Sequence, residues 1–158
     1  MLGNLARWLR ILGLDTEYLP HEDDDELIER ALKEKRTILT RDRGLLEKAI
    51  KRGASALLIK GERLEVWLAQ LARKYGIRLV IDPNKSRCPH CNTLLKHVLA
   101  NEFEELNITT WRPPVSKEEY WICPTCKQIY WRGKHFRSIL NILKRAKEIS
   151  KLLDINSR

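Results

Sequence analysis

Two short motifs decide most of what the second half of this chain can fold into: Cys88-Pro-His-Cys91 and Cys123-Pro-Thr-Cys126. They contain all four cysteines, and 31 residues separate the pairs. A Cys-x-x-Cys unit turns tightly enough to aim both sulfurs at one point. Two such units on facing hairpins supply a tetrahedron of thiolates, as in a zinc ribbon. Four sulfurs leave the ion no open position, so the expected zinc at Cys88, Cys91, Cys123 and Cys126 is structural. Aliphatic residues are few around the knuckles, and metal is expected to supply much of the folding energy there. Two disulfides or four free thiols are the other readings of the same residues. His90 and His97 are near enough in sequence to replace a cysteine, although His90 inside its knuckle is expected to face solvent.

Strands are plain on either side of the second knuckle, with Tyr120-Trp121-Ile122 entering it and Gln128-Ile129-Tyr130-Trp131 leaving it. Trp111, Tyr120, Trp121, Tyr130 and Trp131 are many aromatics for a small module. Some can pack over the metal site, and others can stack on unpaired bases beside Arg132, Lys134 and Arg137. Lys85-Ser86-Arg87 adds positive charge before the first knuckle. The net charge is +9, and residues 132–151 carry seven Lys or Arg against Glu148 alone. A Lys/Glu-rich surface explains a high charge content but not a basic excess, which favours a polyanion, nucleic acid before anionic membrane. No apolar run approaches the ~20 residues of a membrane span. The amino terminus, MLGNLARWLR, interrupts its apolar run with arginines and lacks a small-residue cleavage site. The expected location is therefore cytoplasmic, with no membrane partner.

Residues 1–83 read as an α/β unit in which helices alternate with strands, the pattern of a parallel sheet. Residues 2–12 form a helix by the apolar spacing of Leu5, Trp8, Leu9 and Leu12, stopped by Gly13. Asp15–Leu19 is expected as a short strand ended by Pro20. Asp23–Lys35 is a helix opened by an Asp23-x-x-Glu26 capping box, with Leu27, Ile28, Ala31 and Leu32 inward. A strand at Thr37–Thr40, a helix at Leu45–Lys51, a strand at Ala56–Ile59, a helix at Glu62–Tyr75 and a last strand at Ile77–Ile81 follow. Pro83-Asn84 marks a boundary. Residues 84–135 are the ribbon, and residues 136–158 are a basic amphipathic helix with Ile139, Leu140, Leu143, Ala146 and Leu152 mostly to one side.

The stretch from Asp23 to Leu46 brackets a helix and a strand with acids: Asp23, Asp24 and Asp25 at the helix start, Asp42 after the strand. Taken alone, acids at a helix start cap it and complement its dipole. The longer text says more. LGNLARWLRILGLDTEYL, DDDELIERAL, ILTRDRGLLEKA and a two-knuckle ribbon ending YWRGKH resemble the PIN-like RNase family named for the C-terminal domain of the mutator-seven exonuclease. The resemblance covers nearly the whole chain. It implies a PIN-like parallel sheet flanked by helices, then a zinc ribbon and a C-terminal helix. It also implies a Mg²⁺- or Mn²⁺-dependent ribonuclease acting on single-stranded RNA.

Carried over by position, Asp24 and Asp42 are the expected ligands, Thr40 orients Asp42, and Asp25 is a reserve ligand or a solvent-facing residue. Arg7, Arg10, Arg41 and Arg43, with Lys85, Arg132, Lys134 and Arg137, are the expected RNA contacts; surface ion pairs are the plainer reading of the first four. In the family a hydrophobic strand ending in the first catalytic aspartate precedes the LGxLARWLR helix, and this chain begins at Met1 inside that region. The expectation is a sheet without its first strand, weak metal affinity, impaired cleavage, and a natural polypeptide starting further upstream. The rival reading is a non-catalytic RNA-binding or ribosome-associated zinc-ribbon protein. An antitoxin-controlled toxin is a third, weaker reading, because a compact toxin needs no fused ribbon.

Overall fold

The amphipathic spacing of the first half is what assembles its core. In the computed structural model, which describes residues 2–102 and 119–155, Leu5, Trp8 and Leu9 of α1 (Gly3–Ile11) are buried. They meet Trp67, Leu68 and Leu71 of α4 (Leu64–Tyr75) in one cluster. A second cluster joins Ile28 and Ala31 of α2 (Asp24–Glu34), Ile38 of β1 (Ile38–Thr40), and Leu45 and Ala49 of α3 (Arg43–Lys51). Trp111, expected among the ribbon aromatics, lies outside the described residues.

Local chemistry sets the ends of these helices. The Asp23 carboxylate accepts from the Asp25 amide at 2.8 Å, capping α2. Lys35 closes α2 in the left-handed conformation at φ 54°, so the Arg36 amide can donate back to the Ala31 carbonyl at 2.8 Å.

β1 runs parallel to β2 (Ala56–Leu58), with α3 as the crossover between them. Ile38 lies opposite Ala56 and Thr40 opposite Leu58. A groove of about 570 Å³ runs beside β1, lined mainly by carbon from Leu5 and Leu9 of α1, Leu27 and Ala31 of α2, Leu39 and Leu71. An extended chain laid there would meet the edge of β1 that β2 does not cover.

Two expected strands are absent, for a stated reason in each case. Asp15–Leu19 is extended but joins no ladder. Its polar backbone atoms are taken by side chains instead: the Thr16 amide donates to Asn92 Oδ1 at 3.1 Å, and the Thr16 carbonyl accepts from Arg10 Nε at 2.8 Å. Ile77–Ile81 contributes Leu79 to the core as irregular chain, again without a strand partner among the described residues.

The ribbon is a three-stranded antiparallel sheet in the order β3 (Lys96–Leu99), β4 (Glu119–Ile122), β5 (Ile129–Tyr130). Its own apolar cluster is small: Val98, Tyr120, Ile122 and Ile129. The chain then enters α5 (Lys134–Ile155), and this helix does not stand apart as a third unit. Leu143 and Ala146 are buried in the same cluster as α1 and α4, and Arg145 approaches Glu65 of α4 at 3.7 Å. The inward stripe is Ile139, Ile142, Leu143 and Ala146. Leu140 falls at its edge, and Leu152, 60% exposed, falls on the far side at 3.6 residues per turn. No helix among the described residues is long and apolar enough to cross a membrane.

Because Leu143 is only 2% exposed, Leu143→Ala is expected to lower unfolding free energy by about 2–5 kcal/mol in chemical denaturation. A loss below about 0.5 kcal/mol, the range of uninvolved surface positions, would contradict the packing of α5 on the α/β core.

Candidate functional site

Each knuckle begins with a buried cysteine and ends with an exposed one: Cys88 and Cys123 inside, Cys91 and Cys126 outside. The two turns repeat each other bond for bond. Asn92 N donates to the Cys88 carbonyl at 2.9 Å, and Lys127 N to the Cys123 carbonyl at 3.0 Å. Cys88 N donates to Thr93 O at 2.8 Å, and Cys123 N to Gln128 O at 2.9 Å. Both turns are closed by a left-handed residue, Asn92 at φ 67° and Lys127 at φ 61°.

The result is a cluster of four sulfurs, all within 4.8 Å of one another. Cys88 and Cys126 sulfurs are 3.5 Å apart, and those of Cys91 and Cys123 3.3 Å. Disulfide sulfurs sit at about 2.0 Å, so these thiols are free and the disulfide reading does not hold. Four thiolates each about 2.3 Å from a tetrahedral ion stand about 3.8 Å apart, and the two short spacings fall within about half an ångström of that value. The cluster can therefore hold a thiophilic divalent ion. Neither histidine belongs to it: His90 is exposed, and His97 pairs with Glu119 at 3.3 Å and tilts against the Trp121 ring. A hydrogen bond with the Thr93 hydroxyl brings the Cys91 thiol down to about 6, whereas burial raises Cys123 and pushes Cys126 up to about 12. Burial, and then the Cys88 sulfur 3.2 Å away, push Tyr130 up, which keeps its hydroxyl as a donor toward that sulfur.

The first knuckle is fastened to α1. Arg10, only 8% exposed, donates from Nη1 to the Pro89 carbonyl at 2.9 Å and the His90 carbonyl at 3.1 Å. In return the Arg10 carbonyl accepts from the Arg87 amide at 2.8 Å. Ser86 Oγ donates to the Ile11 carbonyl at 2.6 Å, and Asn92 Nδ2 to Asp15 Oδ1 at 2.7 Å. The Asn92 bond, then Arg36, hold the Asp15 carboxyl below its usual range. Gly13 sits at φ +88°, where an added Cβ would stand 2.7 Å from the Lys85 carbonyl. Only glycine tolerates both the conformation and that approach. Arg10, expected among the RNA contacts, thus faces inward and is engaged by protein carbonyls.

The acids of the Asp23–Leu46 stretch have separate surroundings. Asp42 Oδ1 caps α3, accepting from Gly44 N at 2.6 Å and Leu45 N at 3.3 Å. Thr40 is buried, and its Oγ1 accepts from the Asp42 amide at 3.0 Å. Asp24 is exposed in the first turn of α2. Asp25 is exposed and ion-paired: Lys48 Nζ lies 2.8 Å and Arg52 Nη1 2.6 Å from its oxygens. The Lys48 bond in particular lowers its pKa. Among the described residues, only the four cysteines gather three or more ligand-type side chains around one point. The acids present therefore do not fit a complete carboxylate cage for a divalent cation.

Most of the expected basic contacts are at the surface. Arg7, Arg41, Arg43, Lys85, Arg132, Lys134 and Arg137 are exposed. Arg41 lies over the Trp67 ring, centroid distance 5.9 Å, and Arg132 over Trp121 at 5.4 Å and Phe136 at 5.8 Å. Tyr120 and Trp121 are buried, and the Trp121 indole donates to Asn84 Oδ1 at 2.9 Å. Those two rings pack rather than wait for bases.

A family model of the Mut7-C RNAse domain matches residues 1–143. The chain belongs to the Mut7-C RNAse domain family. A search of curated proteins and a search of solved structures return no match. The matched span takes in α1, the two-stranded sheet, both knuckles and α5 as far as Leu143. In this Mut7-C chain the ribbon is thus inside the family's domain, as its fastening to α1 requires. Arg10 as a clamp, Ser86, Asn92 and Tyr130 were not visible from spacing. The signal in hindsight was an arginine at the edge of an apolar helix stripe and an asparagine placed where a knuckle turns left-handed.

Replacing Arg10 with Met removes the donors of three carbonyls while keeping the side-chain length. Each unsatisfied buried polar group costs roughly 1–3 kcal/mol. Arg10→Met is accordingly expected to destabilise the chain by about 2–4 kcal/mol in urea unfolding. An unchanged midpoint would contradict the clamp.

Proposed function

We propose that this Mut7-C chain is a PIN-like ribonuclease scaffold for single-stranded RNA, with one structural zinc ion at Cys88, Cys91, Cys123 and Cys126 and Mg²⁺ or Mn²⁺ as its catalytic ion. The family match across residues 1–143 carries the reading. The parallel β1–α3–β2 unit and the net charge of +9 support it. Reduced thiols suited to a Cys₄ site favour the cytoplasm.

Asp24 and Asp42 would hold the catalytic ion, directly or through water, and Thr40 would set the Asp42 turn. When bound, such an ion supplies an activated water and charge stabilisation at the scissile phosphate. Two acids offset a dication poorly, and Asp25 is already neutralised by Lys48 and Arg52. The 158-residue chain is therefore expected to bind Mn²⁺ weakly and to cleave slowly. That same observation favours a second reading, a non-catalytic RNA-binding or ribosome-associated zinc-ribbon protein in which the basic surface does the work.

Three measurements separate these readings. Metal analysis of reduced protein should find one zinc per chain, lost in Cys123→Ser; a metal-free folded chain would end the zinc assignment. Single-stranded RNA incubated with Mn²⁺ should be cleaved. Asp42→Asn should slow cleavage at least about ten-fold, since even groups that only support a metal ligand are worth 10–100-fold. Asparagine caps a helix about as well as aspartate, so that loss reports on charge. RNA binding that survives in Asp42→Asn with no cleavage by either protein would replace the nuclease with the binding module.

A further inference from the structure

A polar groove of about 540 Å³ lies where α1 meets the first knuckle. Asn4 and Arg7 line it from α1, Pro89 and His90 from the knuckle, and Tyr18 closes one end. Arg10 forms the floor, its donors already engaged by the Pro89, His90 and Thr16 carbonyls. That leaves Arg7 as the groove's unengaged cation: among the described residues no side chain pairs with it, and none bonds the side chains of Asn4, Tyr18 or His90. All four are exposed.

Tyr18 is unusual for a surface aromatic. It is 41% exposed, and its ring lies close against Gly3, which has no side chain to push it away. A Cβ at Gly3 would come within 3.1 Å of the Tyr18 ring. An exposed aromatic ring beside a free guanidinium, an amide and an imidazole edge is the chemistry that takes an unpaired nucleotide. The larger groove beside β1 does not suit an anion. Its lining is mostly carbon, and its arginines Arg30 and Arg36 are already paired with Glu22 and Asp15.

We propose that the groove between α1 and the first Cys-x-x-Cys knuckle is a subsite for one nucleotide of single-stranded RNA, with the phosphate on Arg7 and the base stacked on Tyr18. The proposal rests on the RNA reading given above and adds a place to it. It makes the knuckle one wall of the RNA surface. Asn4 and His90 offer hydrogen bonds to the sugar and base edge from opposite walls. None of the acids from Asp23 to Asp42 takes part.

The test is a fluorescence-anisotropy titration of the zinc-loaded full chain with labelled oligouridylate over a range of salt. Tyr18→Ala is expected to weaken binding about ten-fold and Tyr18→Phe to leave it near the parent value, since the face and not the hydroxyl carries stacking. Arg7→Ala is expected to reduce the slope of log K against log salt by about one, and Arg7→Lys to preserve it. The two conservative variants guard against loss through misfolding. Oligouridylate bound with unchanged affinity by both alanine variants would overturn the subsite and leave the RNA reading standing. A loss with Arg7→Ala but none with Tyr18→Ala would overturn the nucleotide in favour of a bare phosphate contact. Failure of the parent chain to bind oligouridylate at all would overturn the RNA reading and the subsite together.

Discussion

The Arg10 guanidinium ties α1 both to the extended segment just after it and to a turn 79 residues further on. It leaves the edge of α1's apolar stripe, donates to the Thr16 carbonyl, and ends on the carbonyls of Pro89 and His90. A buried charge is tolerated only when its donors are satisfied. Here two of the three acceptors belong to the turn between Cys88 and Cys91, whose sulfurs both join the four-cysteine cluster. The order of α1 and the order of the first knuckle are consequently one condition. The left-handed Gly13 and the Ser86 hydroxyl on the Ile11 carbonyl hold the same junction from its other side.

That junction changes how the Mut7-C domain divides. Among the described residues the ribbon's own apolar cluster is Val98, Tyr120, Ile122 and Ile129 with Trp131 packed against it, a core of the size that metal or a neighbour commonly supplements. On one side it leans on α1 through the clamp. After β5 the chain returns through α5, whose Leu143 and Ala146 complete the cluster of α1 and α4. Composition shifts at Pro83-Asn84 and near His135 are real, but contacts cross both. The ribbon packs on α1 and the last helix on α1 and α4, so each shares contacts with the α/β layer.

What the sequence disclosed follows from how local each signal is. The extents of α1, α2, α3 and α4 were legible to within about two residues, because apolar spacing and caps such as Asp23 act within a few residues of the chain. The four-cysteine cluster was legible because the doubled spacing leaves few other geometries. The strands expected at Asp15–Leu19 and Ile77–Ile81 failed because strand formation needs a ladder partner, and the partners of Thr16 are the side chains of Arg10 and Asn92. Of the residues read as lying mostly to one side of the last helix, Ile139, Leu143 and Ala146 join the core, whereas Leu140 and Leu152 are exposed. The partners of Asp25 were not legible, because Lys48 and Arg52 lie 23 and 27 residues further along the chain. Asp42 kept its expected position beside Thr40, but its carboxylate also has a capping role that a motif cannot reveal.

The account stands on the coupling of α1 to the first knuckle. Amide hydrogen exchange read along the chain, before and after chelation of the thiolate-bound metal, tests that coupling directly. The expected result is faster exchange not only at Arg87–Asn92 but also through Leu5–Thr16, while α2 and α3 stay protected. Faster exchange confined to the ribbon, with α1 as protected as before, would contradict it.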